Sequence, residues 1–248
     1  MRILINGIGG YMGRELTRLT MEGLRGAVLV AGADPHCKGC PVPCTADIRD
    51  AEKDVDCVID FSNHACTMAL LDFCTKNQLP LVLATTGQTD EELTAIRKAS
   101  ESIPIFFAAN FSMGIALLLE LAKRAAGALP HAEIEIVEAH HNRKLDAPSG
   151  TALKLAEAIC EERPDGTIVA GRSGAGKRTP KEIGVHSLRL GNLVGMHEVI
   201  LGTQNETITL KHEAHSRAVF AEGALAAAEF LCGKPAGLYG MQDMISHG

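Results

Sequence analysis

Asn6-Gly7-Ile8-Gly9-Gly10-Tyr11-Met12-Gly13 is the stretch whose reading decides the fold. Before it, Met1 to Ile5 is a short apolar run of strand type. After it, Arg14 to Glu22 carries Leu16 and Leu19 at helical spacing. A second strand, Ala27 to Ala33, ends in Asp34. Strand, glycine turn, helix, strand and acid is the order of a dinucleotide site: glycines let the backbone approach a pyrophosphate at a helix N-terminus, and the acid receives ribose hydroxyls. Gly7, Ile8, Gly9, Gly10, Tyr11, Met12 and Asp34 are therefore candidate cofactor contacts, with Gly13 closing the motif. The G-x-x-G-x-x-G spacing departs from the commoner G-x-G-x-x-G, and the bland alternative is a glycine turn that serves packing alone.

The alternation continues downstream. Val55 to Phe61, Leu81 to Ala84 and Ile105 to Ala108 read as strands; Ala65 to Asn77 and Asp90 to Ser100 read as helices. Such alternation implies a parallel sheet with ligands at the carboxyl ends of its strands. Three of those ends carry small or polar residues: Asp60-Phe61-Ser62, Ala84-Thr85-Thr86-Gly87 and Ala108-Ala109-Asn110-Phe111-Ser112. The second and third offer backbone and hydroxyl groups for a nicotinamide ribose and amide, which adds Ala84, Thr85, Thr86, Ala108, Ala109, Asn110 and Phe111 to the candidates.

A helix from Met113 to Ala128 leads into a different pattern, in which strands dominate: Ala132 to Val137, Ile168-Val169, Gly184 to Leu190, His197 to Leu201 and Glu206 to His212. These are assigned to the sheet of a second domain. Its most chemical stretch is Glu138-Ala139-His140-His141-Asn142-Arg143-Lys144-Leu145-Asp146-Ala147-Pro148-Ser149-Gly150-Thr151. Two histidines and two cations precede a helix from Thr151 to Glu162, and the N–H groups of Gly150 and Thr151 point out of the helix start, where a carboxylate is welcome. That arrangement suits an anionic substrate that needs a proton; the alternative is a surface loop with ordinary Ser-Gly-Thr capping. The basic, glycine-rich Gly171 to Pro180 resembles a phosphate loop superficially, but no Ser or Thr follows Lys177. A mobile loop over the site is expected there. Ala218 to Leu231 reads as an alanine-rich helix, ended by Gly233-Lys234-Pro235-Ala236-Gly237.

A chain of 248 residues with 46% hydrophobic residues can bury one large core or two ordinary ones. Its formal net charge of -6 argues against nucleic-acid and membrane surfaces, which favour clustered Lys and Arg. With no apolar run of bilayer length and no leader pattern, a soluble cytoplasmic protein is expected. The eight cysteines are too few for a disulfide scaffold in a chain of this length, so reduced thiols are expected. Cys37, Cys40 and Cys44 beside His36 hint at zinc, but no second pair follows at the usual distance. The expectation is a surface loop and no metal.

Taken together, these stretches resemble the 4-hydroxy-tetrahydrodipicolinate reductases, also called dihydrodipicolinate reductases. Glu138 to Ala152 matches that family's E-x-H-H-x-x-K-x-D-x-P-S-G-T-A signature. Supporting matches are Gly7 to Gly13, Thr85-Thr86-Gly87, Ala108 to Ser112, His212 to Arg217, and Gly233-Lys234-Pro235 with Gly237-Leu238-Tyr239. The resemblance implies an α/β chain: an N-terminal Rossmann dinucleotide-binding domain (1–111 with 218–248) and an α+β substrate and oligomerisation domain with a mixed sheet (112–217), assembled as a homotetramer. The implied reaction is hydride transfer from NADH or NADPH to C4 of a cyclic imine dicarboxylate, whose hydroxylated and dehydrated forms present the same carboxylates. In that mapping His140 is proton donor and acceptor, Lys144 is a second proton donor, and His141, Ser149, Gly150 and Thr151 bind substrate. Imidazole titrates near neutrality and an ammonium stabilises developing negative charge, which suits those roles. Arg217 is a substrate contact or a structural ion-pair partner. Tyr11 and Pro35 stand where the family often has Arg; with Asp34 repelling a 2′-phosphate, NADH is the expected preference, and His36 and Lys38 keep NADPH possible. The rivals are another two-domain NAD(P) oxidoreductase acting on an amino acid or semialdehyde, and a nicotinamide sensor without chemistry.

Overall fold

The computed structural model describes residues 1–246, so the last two residues of the expected range 218–248 lie outside the described residues. The chain divides into two compact units, Met1–Ser112 with the chain from Ala218 onward, and Met113–Arg217.

The first unit is built on seven parallel strands: β1 (Arg2–Asn6), β2 (Val28–Ala33), β3 (Cys44–Thr45), β4 (Cys57–Asp60), β5 (Leu81–Leu83), β6 (Pro104–Phe107) and, from the far end of the chain, β12 (Gly237–Tyr239). Their order is β12-β6-β5-β4-β1-β2-β3. The chain winds outward from β1 to β3, then returns to the other side of β1 as β4, which makes the β1/β4 border the switch point where a crevice opens. Helices α1 (Tyr11–Met21), α2 (Thr67–Asn77), α3 (Asp90–Ala99) and α6 (Ala218–Leu231) accompany the sheet, and α7 (Met241–Ile245) follows β12. Ile3, Leu4 and Ile5 are all fully buried, because a parallel strand covered on both faces needs an unbroken apolar run. One core layer joins Ile3, Ile5, Leu16 and Leu19 to Ala221, Leu225 and Leu231 of α6; the other joins Leu4, Val58, Leu81 and Ile105 to Leu70, Phe73 and Ile96. Gly223 allows the first of these to close, since a Cβ there would overlap the Phe111 carbonyl. The three-residue β12, set against β6 in parallel register, lies where the sequence suggests only a helix end. So short a strand has no period to read.

The second unit has a mixed sheet in the order β11-β10-β7-β9-β8. Its strands are β7 (Glu133–His140), β8 (Thr167–Ala170), β9 (Glu182–Arg189), β10 (Gly195–Gly202) and β11 (Thr207–Ala214). Helices α4 (Met113–Ala128) and α5 (Gly150–Glu162) cover one face, where Ile115, Leu118, Leu155 and Ile159 meet Ile134, Ile136, Ile183, Val185, Val199 and Leu201. The sequence suggests that β7 ends at Val137, but it runs on through His140. Glu138 and His140 keep the inward parity of Ile134 and Ile136, and this polar continuation of an apolar face hides the alternation. The Gly171 to Pro180 segment joins β8 to β9 with no helix after it, and its Arg178 is tied to Glu135 at 2.9 Å.

Candidate functional site

In the first unit the backbone shapes the site. Gly7 sits at φ +80°, where its N–H donates to the Ala33 carbonyl at 2.8 Å, and Gly10 returns its N–H to the Gly7 carbonyl at 3.1 Å. The space for side chains is gone: a Cβ at Gly7 would lie 2.6 Å from the Phe61 carbonyl oxygen, and one at Gly13 would lie 2.2 Å from that of Gly7. Helix α1 therefore starts hard against the ends of β1 and β4, with Gly10 as its N-cap. Asp34 closes β2, and its carboxylate accepts the Gly9 N–H at 3.0 Å and the His36 N–H at 2.8 Å. A cleft of about 510 Å³ at the switch point is lined by Gly7, Gly10, Asp34, His36, Phe61 and Ser62 among others.

The other expected cofactor contacts divide. Met12, Ala84, Ala109, Asn110 and Phe111 border a second cleft of about 220 Å³ with Phe61 and Phe220. Phe111 itself is a core residue, 2% exposed and stacked obliquely on Phe61 and Phe106. Ile8 and Gly9 face a third cleft, shared with the Cys37–Cys40 turn. Thr85 is turned inward: its hydroxyl donates to the buried Asp60 carboxylate at 2.5 Å, which Asn6 (2.7 Å) and Ser62 (2.5 Å) also reach. Asp60 thus ties together the ends of β1, β4 and β5, and burial pushes its carboxyl up against the pull of those three hydrogen bonds. Thr86 is exposed and Ala108 half-buried; neither lines the clefts above. Tyr11, at the start of α1, is exposed. The cysteines also depart from expectation, because Cys37 and Cys40 are joined as a disulfide.

In the second unit side chains make the site. The register of β7 with β9 sets Glu138 beside Ser187 and His140 beside Arg189. Glu138, fully buried, receives both arms of the Arg189 guanidinium at 2.8 Å, the His140 Nδ1–H at 2.6 Å and the Ser149 N–H at 3.0 Å. Burial alone would raise the Glu138 carboxyl, but Arg189, Ser187, His140 and Ser149 outweigh it and hold it down at about 2. A permanent carboxylate can only accept, so it fixes the proton of His140 on Nδ1 and leaves Nε2 as the exchanging atom. Gly195 keeps the space beside Nε2, since a Cβ there would come within 3.1 Å of it. His197 stands edge-on to His140 with ring centroids 5.1 Å apart and shares a 3.2 Å hydrogen bond with the Ser149 hydroxyl. Burial first, then the neighbouring His140, push His197 down to about 4, so it is neutral at physiological pH.

Beyond β7 the chain turns under tight control. His141 donates its N–H to the Leu193 carbonyl at 2.8 Å, and Arg189 also reaches the Asp146 carbonyl at 2.5 Å. Burial and the Arg143 and Arg217 charges push the His141 imidazole down, which puts Arg217 within electrostatic reach of this corner. Lys144 pairs with the Asp146 carboxylate at 2.8 Å, and the Gly150 N–H acts on the same carboxylate. Ser149 caps α5 by accepting the Ala152 N–H, so Gly150 and Thr151 form its first turn. His140, His141, Lys144, Ser149, Gly150 and Thr151 are thus brought to one corner. Glu138, Arg189, Gly195 and His197 join them unforeseen. Glu138 stood in the signature without a role; Arg189 and His197 had no local signal.

A doubly wound sheet with a glycine cradle, followed by a unit carrying a carboxylate-locked imidazole beside a lysine, defines a two-domain NAD(P)H-dependent oxidoreductase. Residues 1–111 match the family model for the dihydrodipicolinate reductase N-terminus, and residues 114–245 match that for its C-terminus. The chain belongs to the dihydrodipicolinate reductase family. It is 44% identical to a 4-hydroxy-tetrahydrodipicolinate reductase of Caldanaerobacter subterraneus subsp. tengcongensis, over 100% of this chain and 99% of that one. It is 43% identical to that of Clostridium tetani, over 99% and 97%. Among solved structures, a dipicolinate-bound dihydrodipicolinate reductase from Paenisporosarcina sp. TG-14 superposes with a TM-score of 0.82 at 28% identity, over 98% of both chains. A diaminopimelate dehydrogenase of C. glutamicum, at 14% identity and a TM-score of 0.59 over 98% and 93%, shares the fold.

Proposed function

We propose that this chain catalyses the NADH- or NADPH-dependent reduction of 4-hydroxy-tetrahydrodipicolinate (dihydrodipicolinate) to tetrahydrodipicolinate in diaminopimelate and lysine biosynthesis. The observation that carries this reading is the His140 imidazole, locked by Glu138 beside Lys144 and the start of α5, in a chain of this family.

The first unit is the dinucleotide-binding half and the second the substrate-binding and assembly half. The glycine cradle fits a dinucleotide: without side chains at Gly7, Gly9 and Gly13 the turn packs directly on Phe61, Asp34 and its own backbone, which keeps bare main chain at the N-terminus of α1. Gly7 to Met12 and Asp34 would hold the adenosine and pyrophosphate part, with Ala84 to Thr86 and Ala108 to Phe111 toward the nicotinamide; Thr85 and Phe111 serve through their backbone. When bound, the reduced nicotinamide supplies a hydride to C4 of the cyclic imine. The hydroxylated ring must first lose its 4-hydroxyl as water, with a proton from the neighbouring carbon, to give the conjugated imine; hydride at C4 and one proton returned to that carbon then complete the reaction. His140 delivers it from Nε2, because Nδ1–H is committed to Glu138. Lys144 exchanges Asp146 for a substrate carboxylate and stands as second proton donor, and that carboxylate takes the place Asp146 now holds at the Gly150 N–H. His141, Ser149 and Thr151 complete the contacts to substrate.

Asp34 supports NADH as the preferred cofactor, since its carboxylate borders the switch-point cleft where a 2′-phosphate would meet like charge. A homotetramer is supported by the sheet of the second unit, whose helices cover one face while the other carries Val137, Met196, Ile200 and the exposed Leu188. No helix among the described residues is long and apolar enough to cross a membrane.

The test is a coupled assay. Pyruvate and aspartate semialdehyde are supplied with a dihydrodipicolinate synthase, and oxidation of NADH and NADPH is followed separately. Synthase-dependent oxidation with the larger kcat/KM for NADH is the expected result. Equal efficiencies would remove the inference from Asp34, and folded protein that oxidises neither would remove the reductase reading.

A further inference from the structure

The loop after Asp34 is organised around sulfur. Cys37, Cys40 and Cys44 bring their Sγ atoms within 4.8 Å of one another. Two of the three sit on a turn: the Cys37 N–H donates to the Asp34 carbonyl at 3.3 Å, and Gly39, at φ +70°, swings the chain so that Cys40 faces back toward Cys37. The third is fixed on the sheet edge. Cys44 opens β3 opposite Gly32; next to it the Pro43 carbonyl accepts the Gly32 N–H at 3.0 Å, and the Thr45 carbonyl accepts the Asp34 N–H at 2.9 Å.

The Cys37–Cys40 disulfide spans only two intervening residues and leaves Cys44 without a part in it. A tetrahedral thiolate site uses all three. With metal–sulfur bonds of about 2.3 Å, its sulfurs lie about 3.8 Å apart, so the Cys37–Cys40 bond must open, while Cys44 already lies within 4.8 Å of both partners. The missing second pair, which argues against zinc on spacing alone, is not required: the third ligand comes from β3.

We propose that in the reduced chain Cys37, Cys40 and Cys44 bind one thiophilic divalent cation of the zinc type, with the fourth position taken by solvent. Reaching that state needs a dithiol or phosphine reductant, which gives two electrons to the Cys37–Cys40 bond and is itself oxidised while two protons are taken up. The cation then displaces the three thiol protons. Its effect is to staple the turn at 37–40 to the sheet edge beside Asp34. The staple lies along the cleft of about 320 Å³ that Gly9 shares with Cys37, Lys38 and Cys40.

The experiment uses the full chain, reduced with a phosphine under anaerobic conditions, desalted and titrated with cobalt(II). The expected result is one cobalt per chain with sulfur-to-cobalt charge-transfer absorption and tetrahedral visible bands, all abolished on adding zinc. Cys44→Ser should lose the one-to-one complex even though Cys37 and Cys40 remain. Should Cys44→Ser fail to fold, Cys37→Ser on the turn carries the same expectation. Absence of thiolate–cobalt absorption from the wild-type chain, binding by either serine variant equal to wild type, or a Cys37–Cys40 bond that survives the reductant would each overturn the proposal.

Discussion

The glycine turn between β1 and α1 and the loop between β7 and α5 both stand where a strand gives way to a helix, yet they are specified by different chemistry. In the first, atoms that are absent define the shape: side chains at Gly7, Gly9 or Gly13 would collide with Phe61, Asp34 or the Gly7 carbonyl. In the second, side chains that are present define it, with Arg189, Glu138, His140, Ser149 and His197 held in one buried network. A surface made of backbone suits a ligand that is bound and released unchanged in shape. A network of ionisable groups suits one that must exchange a proton.

If that contrast holds, substitutions in the two places should damage different quantities. The largest effect belongs to His140→Gln. It keeps a polar group near Glu138 but removes the exchanging nitrogen, so kcat should fall by about 10²- to 10⁴-fold while substrate KM moves only a few-fold. Steady-state kinetics within a few-fold of wild type would take His140 out of the mechanism.

Next in size is the response to acid, where the two units should differ in sign. His197 has a folded value near 4 against an ordinary 6.5, so between those values the unfolded chain binds more protons and the second unit loses stability as pH falls, by roughly 3 kcal/mol at most. Glu138, held at about 2 against 4.5, continues the same trend at lower pH. Asp60 in the first unit is raised instead, so its contribution improves as pH falls. Hydrogen exchange, corrected for intrinsic rates, should therefore show β7 and β10 losing protection at a higher pH than β1 and β4. The reverse order would break the comparison.

The smallest effect is expected from Gly9→Ala. Its Cβ would lie 2.9 Å from Asp34 Oδ2, the free end of a side chain that can swing aside at the loss of one charge-assisted hydrogen bond. NADH KM should rise about tenfold with kcat and melting temperature nearly unchanged. A fall in kcat without a change in KM would show that the cradle shapes chemistry rather than binding.

The same contrast explains what could be read in the sequence. The cradle is local, so eight consecutive residues and Asp34 were enough to infer it. The corner was half legible. His140, Lys144 and Ser149 stand close together in the chain, but what fixes the His140 ring is Glu138 held by Arg189, 51 residues further on and brought there by strand register. His197 is likewise delivered by β10. The Thr85 hydroxyl is a related case: at a strand end it looks available for ligand, but it donates to Asp60 buried behind it, which leaves the backbone as the part of Thr85 that can meet a cofactor. In the Cys37 to Cys44 loop the spacing was visible, while the anchoring of Cys44 opposite Gly32 was not.

The first unit closes its core with α6 and its sheet edge with β12, both supplied after the entire second unit has been synthesised. On the ribosome, the middle of the chain can therefore collapse while the cradle still lacks Ala221, Leu225 and Leu231, the residues that seal one side of its sheet. The nascent chain thus holds an unsealed half-core until α6 emerges, long after the strands that it covers.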